Sequence, residues 1–407
     1  MAKSGNLRWA FAPRFRRHAF GWKSQPAIQR IKEAVSEIER TARKDPVLAA
    51  EGAVLFLEKV SPALESVDSS SGAIGTTVNR AIAVLVRVIA NAPADATTRA
   101  RWLERLWDAH AQDEIPYIEA LADYWGEVCA SPEVASEWAD RLVDVVRLAW
   151  SSDPTLRGHF RGTPACLSAL HRAGRHPELI ALLERDRLRF WPYQHWGVKA
   201  LAAMGKRADA IRYAESCRGP YTSDCAVAQA CEEVLLGSGL IEEAYARYAI
   251  EANQRASYLD TFRAVVRKYP HIQPAHILRD LVASTPGDEG KWFAAAKEAK
   301  LYDDAVALAK RSPCDPRTLT RAARDFGETN PGFAVEAGMA ALYWLTQGYG
   351  YEITGADVWA AYSNTRKAAE HLDRGYEVTQ RIRQLVAGEA AGDRFVTQVL
   401  GRELGLT

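Results

Sequence analysis

One short pattern returns at a nearly fixed interval through the middle of this 407-residue chain, and it restricts the fold more than any other feature. Gly205-Lys-Arg-Ala-Asp-Ala-Ile211 is followed by Gly239-Leu-Ile-Glu-Glu-Ala-Tyr245 and by Lys300-Leu-Tyr-Asp-Asp-Ala-Val306, and a looser copy precedes them at Gly174-Arg-His-Pro-Glu-Leu-Ile180. Successive starts lie 31, 34 and 61 residues apart, and a degenerate copy from Pro270 to Ala275 divides the last gap into 31 and 30. A period in the low thirties filled by helical patterns is the length of one helical hairpin with its turns.

The residue types say how each hairpin is built. The Gly ends the first helix, because without a Cβ it can leave in a left-handed conformation. The acid four places on (Glu178, Asp209, Glu243, Asp304) falls in the first turn of the second helix, where free backbone N–H groups favour negative charge. The small or apolar residue after it (Leu179, Ala210, Ala244, Ala305) lets the two helices approach. One hairpin buries too little apolar surface to stand alone, so neighbours must stack. The expectation is an all-α fold: a right-handed α-solenoid of tetratricopeptide-like hairpins over residues 154–311. A basic and aromatic arm (1–25), an irregular helical region (26–153) and a helical cap (312–407) complete it.

Composition agrees with helix throughout: Ala is abundant, and no period-2 run reads as a strand. The 52 basic and 51 acidic residues leave a net charge of +1, which argues against a general nucleic-acid binder while allowing a local basic patch. Six Cys (Cys129, Cys166, Cys217, Cys225, Cys231, Cys314) form no CxxC pair and read as small buried residues of a reducing compartment. The N-terminus is Arg-rich, with no apolar leader segment, and the apolar run Ala81–Ala90 is short for a bilayer and interrupted by Arg87. A cytoplasmic protein is expected.

The helices expected before the repeats begin at Pro26, after Asp45-Pro46, at Ile74, at Thr97, at Ile115 and after Ser131-Pro132. Gly52 falls on the inner face of the second, where it would admit a close neighbour. In the repeats, Pro177–Leu188, Trp191–Ala203, Asp224–Leu236, Tyr258–Lys268, Pro274–Ala283 and Gly290–Ala299 are expected helices. Asp315 is placed to cap a helix starting at Pro316.

Phe15-Arg-Arg-His, Pro26 to Ile31, and the stretch from Val54 to Ser66-Val-Asp-Ser-Ser-Ser-Gly72 together resemble an uncharacterised family of bacterial helical proteins. In that family a helical N-terminal region precedes tetratricopeptide-like hairpins. Lys268-Tyr-Pro-His-Ile-Gln-Pro-Ala275, continuing through Gly290 to Ala309, is similar to helical regions beside SWIM-type zinc fingers. The zinc motif itself, a Cys-x-Cys with a later Cys-x-His, does not occur here. The resemblance implies architecture and carries no function.

Catalytic constellations are sparse. The chain holds no GxGxxG or GxxxxGK[ST] cradle, no GxSxG elbow and no HExxH pair. His171 and His176, like His271 and His276, are five apart and do not share a helical face, and His159 stands alone, so no metal site is implied. A Cys166–His171 dyad lacks an orienting group. The acidic pairs Glu232-Glu233, Glu242-Glu243 and Asp303-Asp304 read as first-turn charges and solvent faces. No enzyme and no cofactor is implied.

Two Arg/aromatic groups stand out as candidate partner-binding residues. The arm carries Arg14, Arg16, Arg17, Trp22 and Lys23. The turn between two repeats carries Arg185, Arg187, Arg189, Trp191, Tyr193 and Trp196. Such surfaces suit a protein hot spot or a stacking platform for single strands. The expected function is a scaffold that binds a helix or extended peptide of another protein on the inner faces of the first helices. The alternative is nucleic acid held by both Arg groups in one groove.

Overall fold

A computed structural model describes residues 9–389 and 392–406. Among these it contains 21 α-helices, three short 3₁₀ segments and no strand, so the chain is all-α. It folds into two compact units, Met1–Ser238 and Gly239–Thr407, and the division falls inside the repeated stretch.

The first unit opens with α1 (Ser24–Ala42), α2 (Pro46–Leu64), α3 (Ala73–Asn91) and α4 (Ala96–Ala111). Asp45 caps α2 through the Leu48 N–H, and Asp95 caps α4 through the Thr98 N–H. By length and composition alone α3 could cross a membrane, with 19 residues and a mean hydropathy of 1.5. Its apolar stripe (Ile74, Val78, Ile82, Leu85, Ile89) is instead buried, and α3 packs on α1 and α2.

The arm packs on these helices from Trp9 onward. Phe11 and Phe15 are buried with ring centroids 5.8 and 5.1 Å from Phe56, and the Trp9 ring lies over Gly52, where a Cβ would collide with it. Glu37 accepts the backbone N–H groups of Ala10 and Phe11, Arg14 pairs with Glu33 at 3.1 Å, and Arg17 and His18 share Glu65. Residues 1–8 of the expected arm lie outside the described residues.

After α4 the expected helix from Ile115 is replaced by a loop, the 3₁₀ turn Glu119–Tyr124 and a single α-turn, α5 (Trp125–Val128). The physical reason is local. Pro116 has no N–H to give, and the Asp113 carboxylate accepts the Ile118 N–H at 2.9 Å while taking the Ser61 hydroxyl from α2. Next come α6 (Pro132–Ala149), α7 (Thr163–Arg172), α8 (His176–Leu183), α9 (Trp191–Ala203), α10 (Arg207–Glu215) and α11 (Asp224–Leu236). Helix α8 stops five residues short of the expected Leu188. Buried Asp186 gathers the N–H groups of Leu188 and Phe190 and the Gln194 amide at 2.9–3.2 Å, which holds the turn open.

The second unit contains α12 (Ile241–Ala252), α13 (Tyr258–Lys268), α14 (Pro274–Ala283), α15 (Phe293–Glu298), α16 (Tyr302–Arg311), α17 (Pro316–Asp325), α18 (Pro331–Thr346), α19 (Gly355–Glu370), α20 (Gly375–Ala387) and α21 (Phe395–Leu404). The helix expected from Gly290 begins as a 3₁₀ turn, Glu289–Trp292, because the Gly290 N–H is taken by the Ser312 hydroxyl at 2.8 Å. Asp315 caps α17 through the N–H groups of Arg317 and Thr318. Within each unit several helices touch the next and the next but one: α7 meets α8 and α9, α9 meets α10 and α11, and α17 meets α18 and α19.

The repeated pattern has a recurring geometry. Gly174, Gly205 and Gly239 have φ of 73°, 75° and 75°, and Lys300 takes φ 61° in the same position. The closing bonds recur as well: Arg175 N–H to Leu170 O, Lys206 N–H to Leu201 O and Leu301 N–H to Ala296 O, each 2.9–3.0 Å. The following acids Glu178, Asp209, Glu243 and Asp304 all lie in first helical turns, and Leu179, Ala210, Ala244 and Ala305 are all buried. Lysine in a left-handed conformation costs about 1–2 kcal/mol that glycine does not. Lys300→Gly is therefore expected to raise stability by about 1 kcal/mol in chemical denaturation, despite the greater entropy of glycine in the unfolded chain. An unchanged or lower midpoint would contradict this account of the turn.

Candidate functional site

The first unit holds a cleft whose walls come from the first helices of successive hairpins. A concavity of about 800 Å³ is lined by the Asp123–Glu127 corner, by Ser168, His171 and Arg172 of α7, and by His195, Trp196 and Lys199 of α9. A second, of about 500 Å³, lies between α7, α9 and α11 and reaches Trp191 and Glu233. Both concavities include His171, His195 and Lys199, so the two adjoin along these side chains.

Each helix places its residues for a local reason. On α9, His195 and Lys199 are one turn apart and project on one face. Trp196 turns inward and is 6% exposed. Its indole forms the floor: Lys199 Nζ lies 4.4 Å from the ring centroid, His195 4.9 Å and His171 5.5 Å. His171 and Arg172 end α7, and Arg172 donates to the Ala130 carbonyl at 2.6 Å. The α5–α7 contact is close because residue 126 is Gly, whose N–H donates to Ser168 Oγ at 3.0 Å, while that hydroxyl donates to the Asp123 carbonyl at 2.9 Å. The Trp196 indole N–H is buried and, among the described residues, has no hydrogen-bond partner.

The walls change the charge states. Burial pushes His171 down to about 4, helped by repulsion from His176 and Lys199. Burial likewise pushes His195 down to about 4, again with repulsion from Lys199, so both imidazoles are neutral at pH 7. The Lys199 ammonium is also lowered by burial, and the charges of Glu233 and Asp123 partly restore it. Asp123 is raised to about 6 by burial, against the pull of Lys199. Asp123 and Lys199 both still reach water, as groups in an open concavity do. Shifted groups collected in one cleft mark a candidate functional site. Its chemistry is one ammonium between two carboxylates, two neutral imidazoles able to donate and accept, and an indole floor.

Of the candidate partner-binding residues, Trp191 and Trp196 line this cleft and the rest do not; His171 and Glu233, weighed in the sequence for metal and acid–base roles, line it as well. Arg185 and Arg187 are exposed in the α8–α9 turn. Arg189, with φ 47°, folds back to Ser216 Oγ at 3.0 Å and over the Tyr213 ring at 5.9 Å. Tyr193 packs on Trp150, with centroids 5.6 Å apart. The arm residues Arg14 and Arg17 pair with glutamates, Arg16 donates to the Pro13 carbonyl at 3.0 Å, Lys23 is exposed and Trp22 is 72% exposed. The two Arg groups thus sit on different elements, the arm on α1 and α2 and the other between α8 and α9.

Among the paired histidines, His171 and His176 have centroids 5.2 Å apart, while His271 meets Glu242 at 3.3 Å and His276 meets Asp280 at 3.2 Å. Burial pushes the Cys166 thiol up to about 12, so it holds no thiolate at neutral pH.

Sequence reasoning missed Asp123, His195, Lys199 and Glu233 as a group. The one available signal was His195 and Lys199 at i and i+4 on either side of an inward Trp. No protein-family model, curated protein or solved structure matches this chain.

Proposed function

We propose that the protein is a non-catalytic binding scaffold, a right-handed stack of tetratricopeptide-like hairpins that holds a helix or extended segment of another protein. The observation that carries this reading is the pair of adjoining concavities walled by α7, α9 and α11. Stacked hairpins turn their first helices to a shared concave side, and a partner segment laid across them touches each in turn. In the chain, residues 26–153 precede the hairpins as irregular helices and 312–407 follow them.

The lining suits a peptide better than a nucleic acid. Asp123, Glu127 and Glu233 stand among Arg172 and Lys199, and three carboxylates repel a phosphate chain while they pair readily with mixed peptide charge. The Trp196 floor supplies an apolar anchor of the kind that dominates interface energetics.

Affinity purification of the full chain from its native cell, with nuclease treatment, tests this. The partner protein is expected to survive nuclease and to be lost with Lys199→Glu, which sets a third carboxylate beside Asp123 and Glu233. Binding of the purified partner should weaken at least about tenfold. Retention of the partner by Lys199→Glu would remove the cleft from the reading. Loss of all associated material to nuclease would replace the scaffold with nucleic-acid binding.

A further inference from the structure

The second unit carries its own polar cleft, of about 520 Å³, between α17 and α19. Arg317, Arg321 and Arg324 fall at i, i+4 and i+7 along the α17 face that lines it. Asp357 and Asn364 of α19 stand opposite, buried Leu345 lies beneath, and Tyr351, 80% exposed, stands at the rim.

The acids in this cleft already have partners. Asp315 caps α17, accepting from the N–H groups of Arg317 and Thr318 and from the Thr318 hydroxyl at 2.7 Å. Asp357 grips Arg317 in a two-bond fork at 2.9 and 3.0 Å, and that guanidinium holds its carboxyl well below the usual carboxylate range. The same Arg317 donates to the Glu352 carbonyl at 2.8 Å, so it is fixed as a rivet between α17 and the α19 end of the preceding loop. The Arg321 guanidinium makes one hydrogen bond among the described residues, to Thr318 Oγ1 at 2.9 Å, which leaves most of its donors unused in a side chain that lines the cleft. Arg324 pairs, among the described residues, only with its sequence neighbour Asp325, at 2.8 Å on an exposed surface, a weak restraint. Among the described residues, neither the Asn364 amide nor the Tyr351 hydroxyl makes a hydrogen bond. The cleft therefore presents two available guanidinium groups, an amide and an aromatic ring, with its carboxylates already hydrogen-bonded.

We propose that this cleft binds a phosphate-bearing small ligand with an attached planar ring, the simplest being a mononucleotide. Arg321 and Arg324 take the phosphate, because planar forks match its oxygens in pairs. The Tyr351 ring stacks on the ligand ring, and Asn364 meets its polar edge. The volume lies within the roughly 300–1,000 Å³ of small-ligand sites and is short of the extended groove that a strand needs. The site shares no residue with the cleft of the first unit, so it stands or falls independently of the scaffold reading.

Calorimetric titration of the full-length protein with inorganic phosphate, adenosine monophosphate and a 12-nucleotide single strand without terminal phosphates decides the matter. Adenosine monophosphate is expected to bind at least about fivefold tighter than phosphate, the ring contact supplying the difference. Arg321→Glu should weaken both by about tenfold or more, with Arg321→Gln as a second variant whose thermal midpoint verifies folding. Tyr351→Ala should abolish the advantage of the nucleotide and leave phosphate binding unchanged, and Arg402→Glu on α21 should change neither. The proposal is overturned if neither small ligand binds at millimolar concentration, or if Arg321→Gln and Arg321→Glu bind them like the wild type. It is also overturned if the strand binds and the mononucleotide does not, which would assign the Arg face to nucleic acid.

Discussion

Arg99→Met is expected to destabilise the first unit by about 3 kcal/mol or more, among the largest effects of any single substitution of a charged residue in the chain. Arg99 lies on α4, is 7% exposed, and among the described residues its guanidinium meets carbonyls and no carboxylate. Its guanidinium donates to three carbonyls: Ile89 at 2.9 Å, Ala92 at 2.7 Å and Val128 at 3.3 Å. The first two close α3, where Ile89 O also accepts the Ala92 N–H at 3.3 Å and Ala92 O the Ala94 N–H at 2.8 Å, and the third closes α5, where Val128 O has no other donor among the described residues. Those carbonyls also carry the negative end of each helix dipole, which is what stabilises a buried cation there. Burial lowers the Arg99 pKa, yet the guanidinium stays charged because its ordinary value is so high.

Methionine keeps much of the side-chain volume and removes every donor. Val128 O is left unsatisfied, at about 1–3 kcal/mol, and the two bonds to Ile89 O and Ala92 O are lost as well, each hydrogen bond to a charged group being worth about 1.5–3 kcal/mol. Arg99→Lys should recover only part of the loss, since one ammonium cannot span three carbonyls set by a planar fork. Urea denaturation followed by Trp fluorescence measures the change, with exposed Arg87→Met on α3 as the comparison, expected within about 0.5 kcal/mol of wild type. If the two substitutions cost the same, Arg99 does not tie these helix ends together.

Gly126→Val is expected to cost about 2–3 kcal/mol and to disturb the cleft as well. A Cβ at residue 126 would lie 2.4 Å from the Ser168 carbonyl oxygen and 2.6 Å from Arg172 Cβ. The obstacle is backbone of α7, which cannot step aside as the end of a flexible side chain can, so α5 and α7 must separate. Separation breaks the Gly126–Ser168–Asp123 chain of hydrogen bonds and displaces His171 and Arg172 together. Partner binding at the cleft should fall with stability, and Gly126→Ala should show a smaller loss of both. Gly75→Ala is the contrast: no atom lies within 4 Å of its Cβ, and in the first turn of α3 the exchange is expected to gain up to about 0.5 kcal/mol, less than at a helix interior. Opposite signs at these two helical glycines, read in one denaturation series, are the expected result. A neutral Gly126→Val would show that α5 and α7 are not held at this separation.

Most of the helices were legible along the chain. Trp191–Ala203, Asp224–Leu236, Tyr258–Lys268 and Pro274–Ala283 begin and end where caps, prolines and apolar spacing place them. The repeat turns were legible too, since Gly174, Gly205 and Gly239 adopt the left-handed conformation that their position calls for. All these signals act within four or five residues, which is why a linear reading captures them. The exceptions share one cause. At Ile115, at Leu188 and at Gly290 a side chain takes backbone N–H groups that a helix would use: Asp113 with Ser61, Asp186, and Ser312.

The order of helices, their caps and the hairpin spacing follow from short-range rules written into the residue order, where propensity and side-chain reach are enough. The site does not. Asp123 and Lys199 are 76 residues apart, and nothing in either neighbourhood announces the other. Their protonation comes from desolvation by walls built of α5, α7, α9 and α11 together, a sum over atoms remote in the chain. In the same way the Arg groups that looked functional were spent on neighbours, Arg14 on Glu33 and Arg189 on Ser216 and the Tyr213 ring, while Arg321 kept its donors because Asp357 chose Arg317. Which charge is satisfied and which is left to bind depends on packing across helices, because burial and pairing are properties of the folded surroundings and of no single segment.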